Sequence, residues 1–137
     1  MGRVANVEDF DEIEFQAART GDHVQAAARM SELAQQAEPG LRAEFHLRAG
    51  EQWMSADDPQ RAADEFSAAI EDGGATFADP RVHLVRALID LGRESEAERL
   101  LAATSVRALQ AAPTATRQQH ADAALAIMAS ATGRTTS

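Results

Sequence analysis

Apolar residues recur along this chain three and four positions apart, which is the spacing of a helix that buries one face. Phe10, Ile13 and Ala17 form one such stripe, and Leu84, Leu88 and Leu91 form another. The two-residue alternation of a half-buried strand is scarce, while alanine, leucine, glutamate, glutamine and arginine, all good helix formers, dominate. Turn signals cut the stripes at short intervals: Thr20-Gly21-Asp22, Glu38-Pro39-Gly40, Asp57-Asp58-Pro59, Gly73-Gly74, Asp79-Pro80, Leu91-Gly92 and Ala112-Pro113. Asp22, Asp58 and Asp79 stand where a helix cap is needed, and Pro59 and Pro80 suit a first helical position. The pattern predicts seven helices: Val7–Thr20, Asp22–Ala37, Leu41–Ala56, Pro59–Asp72, Pro80–Leu91, Arg93–Ala111 and Thr114–Ala131.

The turns keep a period. Gly21, Asp57 and Gly92 occupy the same place in three helix–turn–helix pairs, 36 and then 35 residues apart. A small residue follows each in step (Ala26, Ala62, Ala97), and four positions later a bulky apolar one (Met30, Phe66, Leu101). Two helices repeated about every 34 residues is the period of a tetratricopeptide array.

The residues at those positions resemble the tetratricopeptide family. The middle pair carries Gly50 and Trp53 on its first helix and Ala62, Phe66 and Ala69 on its second, with His46 and Ala49 in place of the family's large residue and leucine. The third keeps Leu84, Leu88, Leu91, Gly92, Ala97 and Leu101, with Val85 for the glycine. The first keeps Phe10, Ile13, Ala17, Gly21, Ala26 and Met30, with Glu14 for the glycine. The resemblance spans roughly Val7 to Ala111. It implies an all-α, right-handed solenoid of three helical hairpins (about 7–40, 41–76 and 78–111) in a single domain over 1–137, closed by a capping helix at about 114–131.

Composition narrows the function. In 137 residues the net charge is −9, and none of the 13 basic residues is lysine. Nucleic acid and anionic membranes both require a cationic face, so neither is an expected partner. Arginine-only, alanine-rich usage is compositionally like a high-GC bacterial genome. No cysteine is present, which removes disulfides, thiol catalysis and thiolate metal sites. No stretch is apolar enough for a membrane span and no signal-peptide layout opens the chain, so a cytoplasmic protein is expected.

The search for chemistry returns nothing catalytic. His23, His46, His83 and His120 form no His-Glu-x-x-His and no pair at ligand spacing, and they are read as structural or solvent-facing. The acidic run Glu8, Asp9, Asp11, Glu12, Glu14 lacks the donors of a calcium loop and suits a solvated helix start. No nucleophile elbow or phosphate loop occurs. No cofactor and no metal are expected.

In the family it resembles, the first helices line a concave groove that takes ligands. Periodicity turns Asp11, Phe15, Ala18 and Arg19 of the first helix away from the packing stripe, then Glu44, Leu47, Glu51 and Met54, then Val82, Arg86, Ile89 and Asp90. Phe15, Leu47, Met54, Val82 and Ile89 make that face apolar, and its carboxylates outnumber its arginines. The expected ligand is an apolar peptide or helix with basic flanks, held by a protein–protein interaction scaffold. The alternatives are a homo-oligomerising module, such as a homodimer, or a non-catalytic regulatory subunit of an enzyme. The lysine-rich clamp that some family members close on a chaperone's C-terminal carboxylate is not expected, since Asp11, Phe15, Leu47 and Glu51 hold its positions.

Overall fold

The computed structural model describes residues 5–111. Six helices follow one another: α1 (Val7–Thr20), α2 (His23–Ala34), α3 (Pro39–Ser55), α4 (Pro59–Asp72), α5 (Pro80–Asp90) and α6 (Glu94–Ala111). The chain is all-helical among the described residues, apart from one isolated parallel bridge between Ala5 and Ala37. The expected seventh helix, Thr114–Ala131, lies outside the described residues, as does His120.

Two boundaries differ from the sequence reading by more than one residue. The helix α2 ends at Ala34, where Gln35, Gln36 and Ala37 each donate a backbone N–H three residues back and so tighten the chain out of α-geometry. The helix α3 opens at Pro39 instead of Leu41, because extended Glu38 delivers proline to the first helical position, where its missing N–H costs nothing. Pro39-Gly40 therefore begins a helix where a turn was expected. The predicted caps form: Asp22 accepts the Gln25 N–H at 3.0 Å, Asp58 that of Arg61 at 3.1 Å and Asp79 that of Arg81 at 2.9 Å.

The three in-step turn residues share one unusual backbone state. Gly21, Asp57 and Gly92 have φ of 76°, 61° and 77°, the left-handed region that glycine enters without steric cost. Around Asp57 and Gly92 the closing bonds are the same pair: Asp57 N–H to Met54 O with Asp58 N–H to Trp53 O, and Gly92 N–H to Ile89 O with Arg93 N–H to Leu88 O. That pair is a Schellman ending. Gly21 instead makes a single bond to Ala17 O at 2.8 Å.

Each helix packs against the next in sequence, and α1 also touches α3. Three apolar clusters result. Phe10, Ile13 and Met30 join α1 and α2 to Phe45 and Ala49 of α3. Trp53, Ala62 and Phe66 join α3 and α4 to Ala27 and Ala87. Val85, Leu88, Ala97 and Leu101 join α5 and α6. The α3–α4 crossing is close because Gly50 lacks a side chain. A Cβ there would lie 2.6 Å from Cδ1 and 2.8 Å from Cζ of the Phe66 ring, and closer still to Cε1.

Candidate partner-binding face

An ion pair joins α3 to α1, and a longer polar contact brings α3 to α5. Arg48 of α3 donates to Glu14 of α1 at 2.7 Å and to Glu44 at 2.6 Å, with its guanidinium 4.3 Å from the Phe10 ring centre. Glu44 uses its other oxygen to accept the Phe77 N–H at 2.6 Å, which fixes the α4–α5 connection to α3. Glu51 of α3 lies 3.5 Å from Nε2 of His83 on α5, a buried atom with no hydrogen bond, and the His83 ring tilts against Phe66 with centroids 5.3 Å apart. Arg48 and His83 stand 35 residues apart, and each meets a carboxylate of the preceding odd-numbered helix.

Electrostatics on this face work against the acid. Burial raises the Glu14 carboxyl above its ordinary value; Arg48 opposes the rise, while Glu51 and Asp11 add to it. Burial also works against the Arg48 charge, but its bonds to Glu44 and its attraction to Glu14 more than restore it. Removing either partner would leave the other charge half-desolvated.

The expected groove residues divide three ways. Asp11, Phe15, Arg19, Glu51, Val82, Arg86 and Asp90 are exposed, and Phe15 is 66% accessible. Met54 and Ile89 are half-buried against the apolar clusters beneath them. Leu47 is a correction: it is 1% accessible and packs with Ala27, Phe66 and Ala87. Glu44 is buried as well. The cause is the position of α3, which has neighbours on several sides and buries Ala43, Glu44, Phe45, Leu47, Ala49, Gly50 and Trp53. A single stripe drawn from periodicity is too narrow for a helix so placed.

The acidic start of α1 is also more structured than expected. Asp9 is 3% accessible and accepts the Asn6 N–H at 2.9 Å, while Asn6 accepts the Glu8 N–H at 2.9 Å. The two form a capping box. Among the described residues no group of His, Asp and Glu is arranged to hold a metal ion, and no helix is long and apolar enough to cross a membrane. His46 is half-buried with Nδ1 2.9 Å from Glu65, and His23 lies 2.8 Å from the Gln52 amide oxygen.

Sequence reasoning passed over Arg48 and Phe77, and took Glu14 only as part of a solvated helix start. Glu14 and Arg48 were legible as an acid and a base 34 residues apart. Phe77 is 92% accessible, the most exposed large apolar side chain among the described residues. Its signal was a phenylalanine stranded between Gly73-Gly74 and Asp79-Pro80, off any helical stripe. Comparison with protein-family models, with curated proteins and with solved structures gave no match for this chain.

Proposed function

We propose that this chain is a non-catalytic protein-interaction module, a right-handed solenoid of three tetratricopeptide-like hairpins whose first helices, α1, α3 and α5, form the binding face. The observation that carries the reading is the ion pair of Glu14 on α1 with Arg48 on α3, followed by the approach of Glu51 on α3 to His83 on α5. Contacts between successive first helices fit a stacked array, in which each hairpin buries its stripe only against its neighbours. The left-handed residues Gly21, Asp57 and Gly92 support the same register.

Part of the face's positive charge is already engaged, with Arg86 its exposed cation. Arg48 is committed to two carboxylates and Arg19 to the Gln16 side chain at 2.7 Å, while Asp11 and Glu51 stay exposed beside Phe15 and Val82. An apolar helix or peptide with arginine or lysine at its flanks complements that surface in shape class and charge.

Photo-crosslinking tests this directly. A photoreactive residue at position 15 or 51 should trap a partner segment that mass spectrometry identifies as apolar with basic flanks. The same probe at Val24, exposed on α2, should trap far less. Reversing charge at Asp11 and Glu51 to arginine should weaken capture at least about tenfold, some 1.4 kcal/mol. Equal trapping at Val24, or an acidic captured segment, would refute the proposal.

A further inference from the structure

The three first helices present a diagonal of charge and apolar surface. The contacts of Glu14 with Arg48 and of Glu51 with His83 set the register of α1, α3 and α5, and bring Phe15 and Val82 to about the same level. Phe15 is 66% accessible and Val82 39%. Asp11 lies one turn before Phe15 and Arg86 one turn after Val82; both are exposed, and neither forms an ion pair among the described residues. From α5 to α1 the order is therefore cation, apolar, apolar, anion. Two helix spacings of about 10 Å and the axial offset set the length of the diagonal at about 25 Å.

After α6 the sequence carries the reverse order. Asp122, Leu125, Met128 and Arg134 read anion, apolar, apolar, cation, and Ala121, Ala124, Leu125 and Met128 keep the three-to-four spacing of one helical side. As a helix, Asp122 to Arg134 spans about 18 Å, which the side chains of Arg134 and Arg86 extend towards the full diagonal. Arg117 and Arg134 outnumber Asp122, so this segment is positive in a chain of net charge −9. Its point of departure suits the path. The cluster of Val85, Leu88, Ala97 and Leu101 makes α6 run back along α5. With 18 residues against 11, α6 ends beyond Pro80, at the Val82 end of α5. The stretch from Ala111 to Asp122 can then cover up to about 36 Å.

We infer that residues 122–134 of this chain occupy the proposed binding face in cis, with Asp122 at Arg86, Leu125 and Met128 on Val82 and Phe15, and Arg134 at Asp11. The inference rests on the face of the proposed function and supplies its regulation. A tethered segment acts at an effective concentration in the millimolar range, so an outside partner must displace it. The apparent affinity for that partner falls in proportion to the fraction of chains left open.

Photo-crosslinking of the purified full chain decides it, in dilute solution with no partner added. A photoreactive residue at position 15 should link to residues 122–134 and leave the product at monomer mass. A segment that covered only α5 and α6 would never reach α1. Leu125→Asp should lose most of the self-link, and Arg134→Asp should cut it by up to about fivefold, the range for an exposed ion pair. Combining Arg134→Asp with Asp11→Arg restores the pair in reverse and should recover the yield, which keeps the test sharp should Leu125→Asp fail to fold. The inference is overturned by no link to the segment, by a link found only at dimer mass, or by a folded Leu125→Asp that links like the native chain. A charge swap that recovers nothing overturns it too. Its failure is separable from that of the binding face. If position 15 traps a partner from lysate but forms no self-link, the face stands and the segment does not cover it. If the self-link forms and Leu125→Asp still traps no partner, the segment stands and the face serves no other protein.

Discussion

A single methyl group at Gly50 would collide with three ring atoms of Phe66, which is 1% accessible and has nowhere to turn. Two effects of Gly50→Ala oppose each other. Alanine favours the helix by about 1 kcal/mol, whereas forcing extra volume into a packed core costs about 1–3 kcal/mol. The collision wins, because it involves a buried ring instead of a mobile tip. Gly50→Ala should therefore lower the denaturant midpoint, and adding Phe66→Leu should recover part of the loss; chemical denaturation of the single and double variants checks both. Gly50 was legible in sequence as a small residue of the repeat pattern, and so were the caps at Asp22, Asp58 and Asp79. The positive φ of Asp57 was legible only through its register with Gly21 and Gly92, since aspartate rarely adopts that state. Residue type alone does not announce it.

At the scale of the element, the link between α1 and α3 has a pH signature. Burial holds the Glu14 carboxyl above its ordinary value of 4.5, so the folded chain binds this proton more tightly than the unfolded chain. Stability from this group is then lost as pH rises from 4.5 through the raised value, and regained on acidification across the same window. Arg48 acts against the rise, so Arg48→Met should move the midpoint higher still. Carbon-13 NMR of the Glu14 carboxyl reads both midpoints, and a native value at or below 4.5 would mean that Arg48, not burial, dominates. The helices themselves were legible because capping and the three-to-four spacing are local. Their ends were less so: α2 stops short at Ala34 because Gln35, Gln36 and Ala37 bond three residues back, and Ala37 bridges to Ala5. That bridge joins segments about 30 residues apart, which no local pattern reports.

For the whole molecule, the misread residue is the instructive one. Leu47 sits on the side of α3 that periodicity assigns to a groove, yet it is buried in one cluster with Ala27 of α2, Phe66 of α4 and Ala87 of α5. A stripe derived from one helix assumes one packed side; α3, packed against α1, α2 and α4, has several. Leu47 therefore couples three neighbours of α3, and its loss should be felt beyond its own helix. Leu47→Ala should cost about 2–5 kcal/mol, the range for truncating a buried leucine, while Phe15→Ala, with its ring 66% accessible, should change stability by no more than about 0.5 kcal/mol. Hydrogen exchange gives the sharper reading. In Leu47→Ala the slowest amides of α2, α3, α4 and α5 should lose protection together, because a side chain shared by four helices is released only when all four open. Protection lost in α3 alone would make Leu47 a local contact and return it to the rim of the proposed binding face. With both results as expected, the face is bounded on its inner side by Leu47 and Glu44 and open from Asp11 and Phe15 through Glu51 to Val82.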